Sequence, residues 1–313
     1  MKKPKIVIIV GPTGSGKSSL SLDLAQKFKG EIISADSVQV YRGLDIGSAK
    51  PSIEQRRWVP HHLIDIRDPN EDFSAGIFAR MAEEIIRNLV WQKTPIFIVG
   101  GTGLYVKALT NGLFQGPAGN IQLRSLLFEK GKHRGTEVLH QELLRVDPEA
   151  AYRIHSHDKI RLIRALEIYT LTHKPISLFH KEHQFQERPY HVLQIALQYE
   201  REELYKRIES RVEKMIAAGW VEEVRFLLHQ GYGPECRSMQ SLGYKHLVSF
   251  LSGHKSFEEA VRLVKRDTRR YAKRQMTWFK SDRNINWFPM SPDVIPHIEG
   301  TVEKFLNGDH AAQ

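Results

Sequence analysis

The sequence is nearly free of cysteine, and this scarcity excludes two kinds of small fold. Among its 313 residues Cys236 is the single thiol, so the sequence predicts neither a disulfide framework nor a cysteine-rich zinc module. No apolar run reaches the length of a membrane span, and the first strand-like run follows Met1 too closely for a signal peptide. These absences predict a cytoplasmic protein that does not contact the membrane.

Acidic residues are scarce relative to basic ones. The chain has 36 Asp and Glu against 46 Lys and Arg, which gives a formal net charge of +10. Apolar residues make up 41% and charged residues 26%, a composition typical of a folded globular protein. The positive excess favours an anionic partner such as nucleic acid, although an enzyme that is merely basic stays possible on charge alone.

The most informative segment is present near the start of the chain. An apolar strand, residues 7–10, leads into the pattern Gly-x-x-x-x-Gly-Lys-Ser, and a helical spacing of leucines follows at once. Such a loop surrounds a phosphate with backbone N–H groups at a helix N-terminus, while the lysine adds a cation and the serine hydroxyl a magnesium ligand. The predicted diphosphate- or triphosphate-binding residues are Gly11, Pro12, Thr13, Gly14, Ser15, Gly16, Lys17 and Ser18, with Ser18 as the ligand of Mg²⁺.

Strand-like and helical patterns alternate over the first 115 residues and resume near residue 190. Alternation of this kind predicts an α/β fold, a P-loop NTPase-like parallel sheet flanked by helices. Between these stretches the apolar spacing is helical without strands. We therefore predict an α/β core formed by residues 1–117 and 189–313 and an all-helical insertion domain at 118–188. The predicted strands are Ile6–Val10, Glu31–Ala35, His62–Ile66, Pro95–Val99, Val192–Gln198 and Ile285–Phe288.

Polar residues follow two of the predicted strands, at the sheet edge where ligands bind in open parallel sheets. Asp36 after the second strand is a candidate general base or magnesium ligand, or else a helix cap or loop residue. Gln39 can pair with an adenine edge. Thr102 follows the strand at 95–99 within a glycine-rich segment, where either close approach of a ligand or helix capping is possible. The aspartate that usually holds magnesium after such a strand is missing, which argues against ordinary ATP hydrolysis.

Two later helical segments carry basic residues that suit phosphate binding. In the segment at 201–218, Arg207, Arg211 and Lys214 share a face, which is either a phosphate clamp or a solvated surface. The C-terminal segment at 256–280 is denser, and we interpret it as a surface for the phosphate backbone of RNA or as a helix that packs its aliphatic stems on the sheet. Its cations are Arg262, Lys265, Arg266, Arg269, Arg270, Lys273, Arg274 and Lys280.

Taken in order, these segments resemble the tRNA dimethylallyltransferase (tRNA isopentenyltransferase) family over nearly the whole chain. The stretches that carry the resemblance are Gly11–Ser18, Ser34–Tyr41, His61–Ile66, Val99–Tyr105, Arg161–Glu167, Ser241–Lys245 and Tyr271–Phe279. The combination of Asp-Ser-x-Gln-x-Tyr with the last stretch is highly specific. The absence of a cysteine–histidine finger, which eukaryotic members carry, makes it similar to the bacterial type.

The resemblance implies transfer of a dimethylallyl group from dimethylallyl diphosphate to N6 of adenosine 37 in tRNAs that read codons starting with U. It implies Mg²⁺ as the ion, a monomeric enzyme, and an insertion that grips the anticodon stem-loop. Asp36 would accept the proton, while Lys17 and Arg211, with Arg207 as the rival, would neutralise the diphosphate. The residues implied in tRNA binding are Asp36, Ser37, Val38, Gln39, Thr102, Arg161, Arg164, Gly243, Tyr244 and Lys245.

Two other functions stay open on the sequence. A carboxylate beside a phosphate loop also suits a small-molecule kinase, because it can activate a hydroxyl acceptor. A phosphate loop combined with a basic surface also suits an ATPase that RNA stimulates.

Overall fold

A computed structural model describes residues 3–114, 116–185, 187–291 and 293–308. It divides into two compact units, one formed by the described residues up to Thr110 and from Arg188 onward, the other running from Asn111 to Glu187. The helical unit therefore begins at 111, not at the predicted 118, because the helix before it ends there. Gln115 and Gln186, which fall within the predicted domain ranges, lie outside the described residues.

The first unit is built on a parallel sheet. Within the described residues the sheet has six strands in the order β3-β2-β4-β1-β5-β6, and each neighbouring pair is parallel. The strands are β1 (Lys5–Val10), β2 (Glu31–Ser34), β3 (His61–His62), β4 (Ile96–Gly100), β5 (His191–Gln198) and β6 (Ile285–Pro289). Because the strands are parallel, their carboxyl ends meet at one edge, which brings the loops after β1, β2 and β4 together. The predicted fold class is confirmed.

Helices connect the strands and form the second unit. In chain order they are α1 (Lys17–Lys27), α2 (Ile53–Trp58), α3 (Ala75–Trp91), α4 (Gly103–Asn111), α5 (Ile121–His133), α6 (Thr136–Val146), α7 (Pro148–Arg153), α8 (Lys159–Thr172), α9 (Ile176–His183), α10 (Arg201–Ala217), α11 (Trp220–His229), α12 (Tyr244–Leu251), α13 (Phe257–Lys280) and α14 (Val294–Asn307). Among the described residues, no helix is long and apolar enough to cross a membrane.

The core of the first unit lies on both faces of the sheet. Ile6, Ile8 and Val10 of β1 pack into one apolar cluster, whereas Val7 and Ile9 pack into another on the opposite face, and all five are fully buried. A central parallel strand covered on both faces has no solvent side, which is why it is a continuous apolar run. This buried strand leads into the loop at Gly11–Ser18.

The strand predicted at His62–Ile66 is wrong beyond its first residue. β3 ends at His62, because Leu63 and Asp65 adopt left-handed backbone angles, with φ of 61° and 56°. The Asp65 carboxylate instead contacts Lys50 at 2.5 Å and Arg56 at 2.6 Å, so this apolar-looking stretch forms an ion-paired turn.

Helix α14 has no counterpart among the predicted elements. It carries Pro296 in its first turn, where a missing N–H costs nothing because no intrahelical acceptor exists there. Val294, Ile298 and Val302 are spaced by four residues and are buried against the sheet cluster that holds Val7 and Ile9. The proline obscures this pattern in the sequence.

The helical unit has its own apolar core and, among its described residues, two buried carboxylates, those of Asp147 and Glu167. The Glu167 carboxylate on α8 is fully buried and accepts hydrogen bonds from the Asn120 backbone N–H at 2.7 Å, Arg124 at 2.8 Å and Arg164 at 2.6 Å. Burial alone would raise the pKa of Glu167, but these donors outweigh it and the pKa is lowered. Glu167 therefore ties α5 and the segment before it to α8.

We expect Glu167→Gln to destabilise the helical unit by about 1–3 kcal/mol, because the arginines lose their shared counter-charge but stay partly exposed to water. The measurement is hydrogen–deuterium exchange of the α8 backbone amides. The matched control is Glu149→Gln, an exposed carboxylate of the same unit that pairs with Arg153 at 3.1 Å and Lys181 at 2.5 Å. Equal loss of protection in the two variants would contradict the structural role given to Glu167.

Candidate active site

The loop between β1 and α1 is a cradle of free backbone donors. Gly14 and Gly16 both have φ of 83°, and a Cβ on Gly14 would lie 2.9 Å from Ile208 Cγ1, so side chains do not fit there. Within the described part of the chain, the N–H groups of Gly14, Gly16, Lys17 and Ser18 have no hydrogen-bond acceptor. Donors that converge at a helix N-terminus form a binding site for an anion.

Side chains of the same loop add polarity to the cradle. The Ser15 hydroxyl is fully buried and, among the described residues, has no hydrogen-bond partner. The Lys17 ammonium donates to the Pro12 carbonyl at 3.2 Å. Burial, followed by the positive charge of Arg211, lowers the pKa of Lys17 to about 8, although the charge of Asp36 opposes the shift. An anion in the cradle would raise the pKa of Lys17 again.

The two arginines that the sequence singled out on α10 occupy different positions. Arg207 is exposed, donates through Nε to the Gly14 carbonyl at 2.9 Å, and lies over the Tyr199 ring at 4.6 Å from its centroid. Arg211 is half-buried beside Lys17 and Asp36; burial lowers its pKa, and the Asp36 charge opposes that effect. Arg211 is therefore the more buried of the two cations, whereas the exposed Arg207 holds the loop through its hydrogen bond to the Gly14 carbonyl.

Asp36 is the second residue after β2, and its charge acts on both Lys17 and Arg211. Its Oδ1 accepts the backbone N–H of Val38 at 2.8 Å and of Gln39 at 3.3 Å, so this oxygen anchors the turn. Oδ2 has no hydrogen bond within the described ranges. The two interpretations left open by the sequence are compatible, because one oxygen holds the loop while the other is available for chemistry.

Two tyrosines close the site around Asp36. Burial raises the pKa of Tyr271 to about 12; the Asp36 charge adds to the shift, and Arg274, Thr102 and Gln275 oppose it. Tyr105, stacked on the Phe78 ring at a centroid distance of 4.7 Å, also has a raised pKa through burial and the charges around it. Both hydroxyls therefore stay protonated at neutral pH and can act as hydrogen-bond donors.

At the end of β4 and just after it, glycines are required because other parts of the protein lie too close for a side chain. A Cβ on Gly100 would lie 2.1 Å from the Ala35 carbonyl oxygen, and one on Gly103 would lie 2.2 Å from the Trp278 ring nitrogen. No side chain fits at Gly100, which accounts for the missing aspartate. Thr102 precedes α4, and its carbonyl accepts the Tyr105 N–H at 2.9 Å, so Thr102 also begins the helix.

Gln275 is a site residue that the sequence reasoning did not assign. Its side-chain oxygen accepts the Thr13 N–H at 2.9 Å, and its amide nitrogen donates to the Gly101 carbonyl at 2.8 Å. It is almost fully buried and joins the cradle to the end of β4. The signal in the sequence is a polar residue on the apolar face of α13, between the buried Ala272 and Phe279.

The structure places the sequence-predicted tRNA residues in several environments. The Gln39 amide accepts from the Ser34 hydroxyl at 2.9 Å and donates to the Ser48 and Ala49 carbonyls at 3.3 Å. A contact between Gln39 and adenine stays a prediction. It would have to use the hydrogen-bonding capacity of the Gln39 side chain that these bonds leave free. Ser37 and Val38 lie beside it, and both are half-buried.

Tyr244 and its neighbours differ in exposure. Tyr244 is fully buried and donates its hydroxyl to Glu223 at 2.7 Å. Gly243 is packed against Trp220, where a Cβ would lie 2.1 Å from the indole ring. Lys245 is exposed, and the contacts of all three residues with tRNA stay predictions.

The two arginines predicted in the helical unit also differ from each other. Arg164 is engaged with Glu167 and with the Pro117 carbonyl at 3.0 Å. Arg161 is 68% exposed, and its charge is paired with Asp158 at 3.2 Å. Arg161 therefore presents more of its guanidinium to solvent than Arg164 does.

The chain is similar to known proteins over nearly its whole length. The model of the IPP transferase family matches residues 39–282. The tRNA dimethylallyltransferase 2 of Geotalea uraniireducens (strain Rf4) is 52% identical over 285 residues, which cover 91% of this chain and 92% of that protein. The tRNA dimethylallyltransferase of Desulfatibacillum aliphaticivorans is 51% identical over 304 residues, with 97% and 99% covered.

Solved structures agree with these relatives. The full-length tRNA isopentenylpyrophosphate transferase from Bacillus halodurans superposes with a TM-score of 0.73 at 40% identity, covering 97% of each chain. A eukaryotic dimethylallyltransferase acting on tRNA superposes with a TM-score of 0.81 at 27% identity, covering 99% of this chain and 81% of that one. Sequence and fold thus agree, and this chain belongs to the tRNA dimethylallyltransferase (IPP transferase) family.

Proposed function

We propose that this protein transfers the dimethylallyl group of dimethylallyl diphosphate to N6 of adenosine 37 in tRNAs that read codons starting with U. The products are N6-isopentenyladenosine and diphosphate. The observation that carries the proposal is a loop of free backbone N–H groups beside which the charges of Lys17, Arg211 and Asp36 act on one another. Membership of the family supports the same reaction, since the relatives are named for it.

The cradle and its cations suit the departure of diphosphate. The allylic C–O bond breaks more easily when the negative charge that develops on the leaving oxygen is met by fixed donors. The backbone N–H groups of the loop, Lys17 and Arg211 supply these donors. Arg207, already bound to the loop carbonyl of Gly14, has terminal nitrogens near Gly16 that can meet an outer phosphate oxygen.

Ser18 is the residue that would hold Mg²⁺. Its exposed hydroxyl at the start of α1 is an oxygen ligand of the kind that Mg²⁺ prefers, and the unpartnered Ser15 hydroxyl is close in the same loop. The described residues include no cluster of three His, Cys, Asp or Glu that could hold a metal, so diphosphate and water would complete the coordination. When bound, the ion would neutralise charge on the diphosphate.

Asp36 is the proposed proton acceptor. As the N6–carbon bond forms, the amine must lose a proton, and Oδ2 of Asp36 can take it while Oδ1 keeps the loop in place. Tyr271, whose pKa the Asp36 charge raises, is hydrogen-bonded to Thr102, and both residues can hydrogen-bond to the adenine. To reach this site the adenine must leave its stack in the RNA loop.

In the first unit, the proposed tRNA-binding surface is the exposed side of α13, whose exposed cations are Arg262, Arg270, Lys273, Arg274 and Lys280. In the helical unit, the residues proposed to contact tRNA are Arg161 and Arg164. Arg269 and Lys265 are less available, because they pair with Glu209 and Glu213 of α10. We also propose that the enzyme is monomeric and works in the cytoplasm, as the family resemblance implies.

The test of this function is incubation with dimethylallyl diphosphate, Mg²⁺ and an anticodon stem-loop, followed by mass analysis of the nucleosides. We expect a single adenosine to gain one dimethylallyl group. Transfer of the ATP γ-phosphate to a metabolite, or ATP turnover stimulated by RNA with no modified base, would contradict it and favour a kinase or an ATPase.

For Asp36→Asn we expect kcat to fall by about 10²- to 10⁴-fold, because the amide cannot accept the proton. The affinity for the stem-loop should change by less than about twofold, since the amide oxygen still accepts the N–H groups of the turn. Asp23→Asn, at an exposed position on α1, is the control. Near-normal turnover of Asp36→Asn would refute its role as the base.

We expect the dissociation constant for inorganic diphosphate to depend on the charge of Lys17. The pKa of Lys17 is lowered to about 8 in the free protein, so the ammonium is present below pH 8 and is lost above it. Binding should weaken by about tenfold between pH 7 and pH 9, beyond the change due to the ligand's own titration. Calorimetry on wild type and Lys17→Gln separates the two effects, and parallel pH profiles would contradict the assignment.

Replacing Arg270 and Lys273 together by glutamine should reduce the slope of log affinity for tRNA against log salt by about 1 to 2, because fewer counterions are released. The control is the double replacement of Lys29 and Lys93 by glutamine, which removes the same charge from turns at the opposite edge of the sheet. Filter binding at several salt concentrations measures the slope. Equal changes in the two variants would indicate a loss of overall charge without a specific surface.

A further inference from the structure

A second carboxylate, remote from the cradle, has an unusually complete set of donors. Glu223 on α11 accepts the backbone N–H groups of Asp45 at 2.9 Å, Ile46 at 2.6 Å and Gly47 at 3.2 Å. It also accepts the Tyr244 hydroxyl at 2.7 Å. Hydrogen bonds to an ionised acceptor are stronger than neutral ones, so Glu223 fixes the backbone of this loop.

The loop is also held by close packing. A Cβ on Gly47 would lie 2.0 Å from the Trp220 ring nitrogen, so the backbone at this glycine lies directly against the indole. Gly243 packs against the same indole, and the Trp220 and Tyr244 rings meet edge to face at a centroid distance of 5.6 Å. The motif around Gly243 and Tyr244 therefore supports the loop at 45–49 by packing against Trp220.

The part of the loop that follows Gly47 faces a residue of the proposed site. The carbonyls of Ser48 and Ala49 accept the Gln39 amide nitrogen at 3.3 Å, while the Gln39 oxygen accepts the Ser34 hydroxyl at 2.9 Å. These hydrogen bonds therefore fix the direction in which the Gln39 amide presents its oxygen and its nitrogen. If the loop moved, the amide would lose the partners that orient it.

We infer that Glu223 is a positioning residue that orients Gln39 through the loop at 45–49. The inference rests on the proposed function and on the predicted contact between Gln39 and the adenine. It gives a role to two stretches that take no part in the proposed reaction itself, Trp220–Glu223 and Gly243–Tyr244. Loss of the Glu223 charge should therefore impair use of the tRNA and leave dimethylallyl diphosphate binding unaffected.

The test compares Glu223→Gln with Glu222→Gln, the neighbouring carboxylate, which is 67% exposed. We expect Glu223→Gln to lower kcat/KM for the stem-loop by about tenfold, and to leave the KM for dimethylallyl diphosphate within about twofold. Glu222→Gln should match wild type. A merely structural role would instead lower the melting temperature and impair both substrates alike.

A double-mutant cycle makes the test specific to Gln39. In a Gln39→Ala background, Glu223→Gln should lower kcat/KM for the stem-loop by less than about twofold, because the side chain that Glu223 orients is gone. The same loss in both backgrounds, or no loss in either, would overturn the inference. If Glu223→Gln does not fold, Tyr244→Phe removes one donor to Glu223 and is measured in the same two backgrounds. Wild type that forms no product would instead refute the proposed function itself.

Discussion

The repulsion between Lys17 and Arg211 is the interaction on which the rest of the site depends. Each is half-buried, each has a lowered pKa, and the charge of Arg211 contributes to the shift of Lys17. Asp36 offsets this repulsion only in part. Together with the unpaired N–H groups of the loop, the free protein therefore holds an excess of positive charge that an anion would relieve. In the proposed reaction a diphosphate would do so, and the same positive charge would stabilise the negative charge that develops on the diphosphate as the allylic C–O bond breaks.

The remaining parts of the first unit keep that charge in place. β1 is buried and leads into the loop. α10, which comes much later in the sequence, brings Arg207 and Arg211 to the same loop. Gln275 connects the loop to the end of β4 through one amide. Because α13 carries both Gln275 and the exposed cations, the helix proposed to meet RNA is the one that also supports the cradle. In this arrangement donor and acceptor substrates would share a single rigid frame.

Much of this organisation could be predicted from the sequence, because it rests on local patterns. The loop at Gly11–Ser18 and the alternating strands identify the sheet and its ligand edge, and Asp36 follows from its place after β2. The rest depends on contacts between distant segments. Gln275 meets Thr13 across 262 positions, and Tyr244 is a buried partner of Glu223. The stretch after His62 looked like a strand, yet Asp65 forms ion pairs with Lys50 and Arg56 that no local pattern reveals.

The central claim is that the cradle is matched to a short prenyl diphosphate and not to a nucleotide. Gly100 leaves no space for the aspartate that nucleotide hydrolases use, and Arg207 of α10 hydrogen-bonds to the loop itself through the Gly14 carbonyl. The most direct measurement is calorimetric titration of the protein with dimethylallyl diphosphate and, separately, with ATP, both in the presence of Mg²⁺. The account predicts that dimethylallyl diphosphate binds more tightly and is not displaced by equimolar ATP. Tighter binding of ATP, with displacement of the prenyl donor, would contradict it.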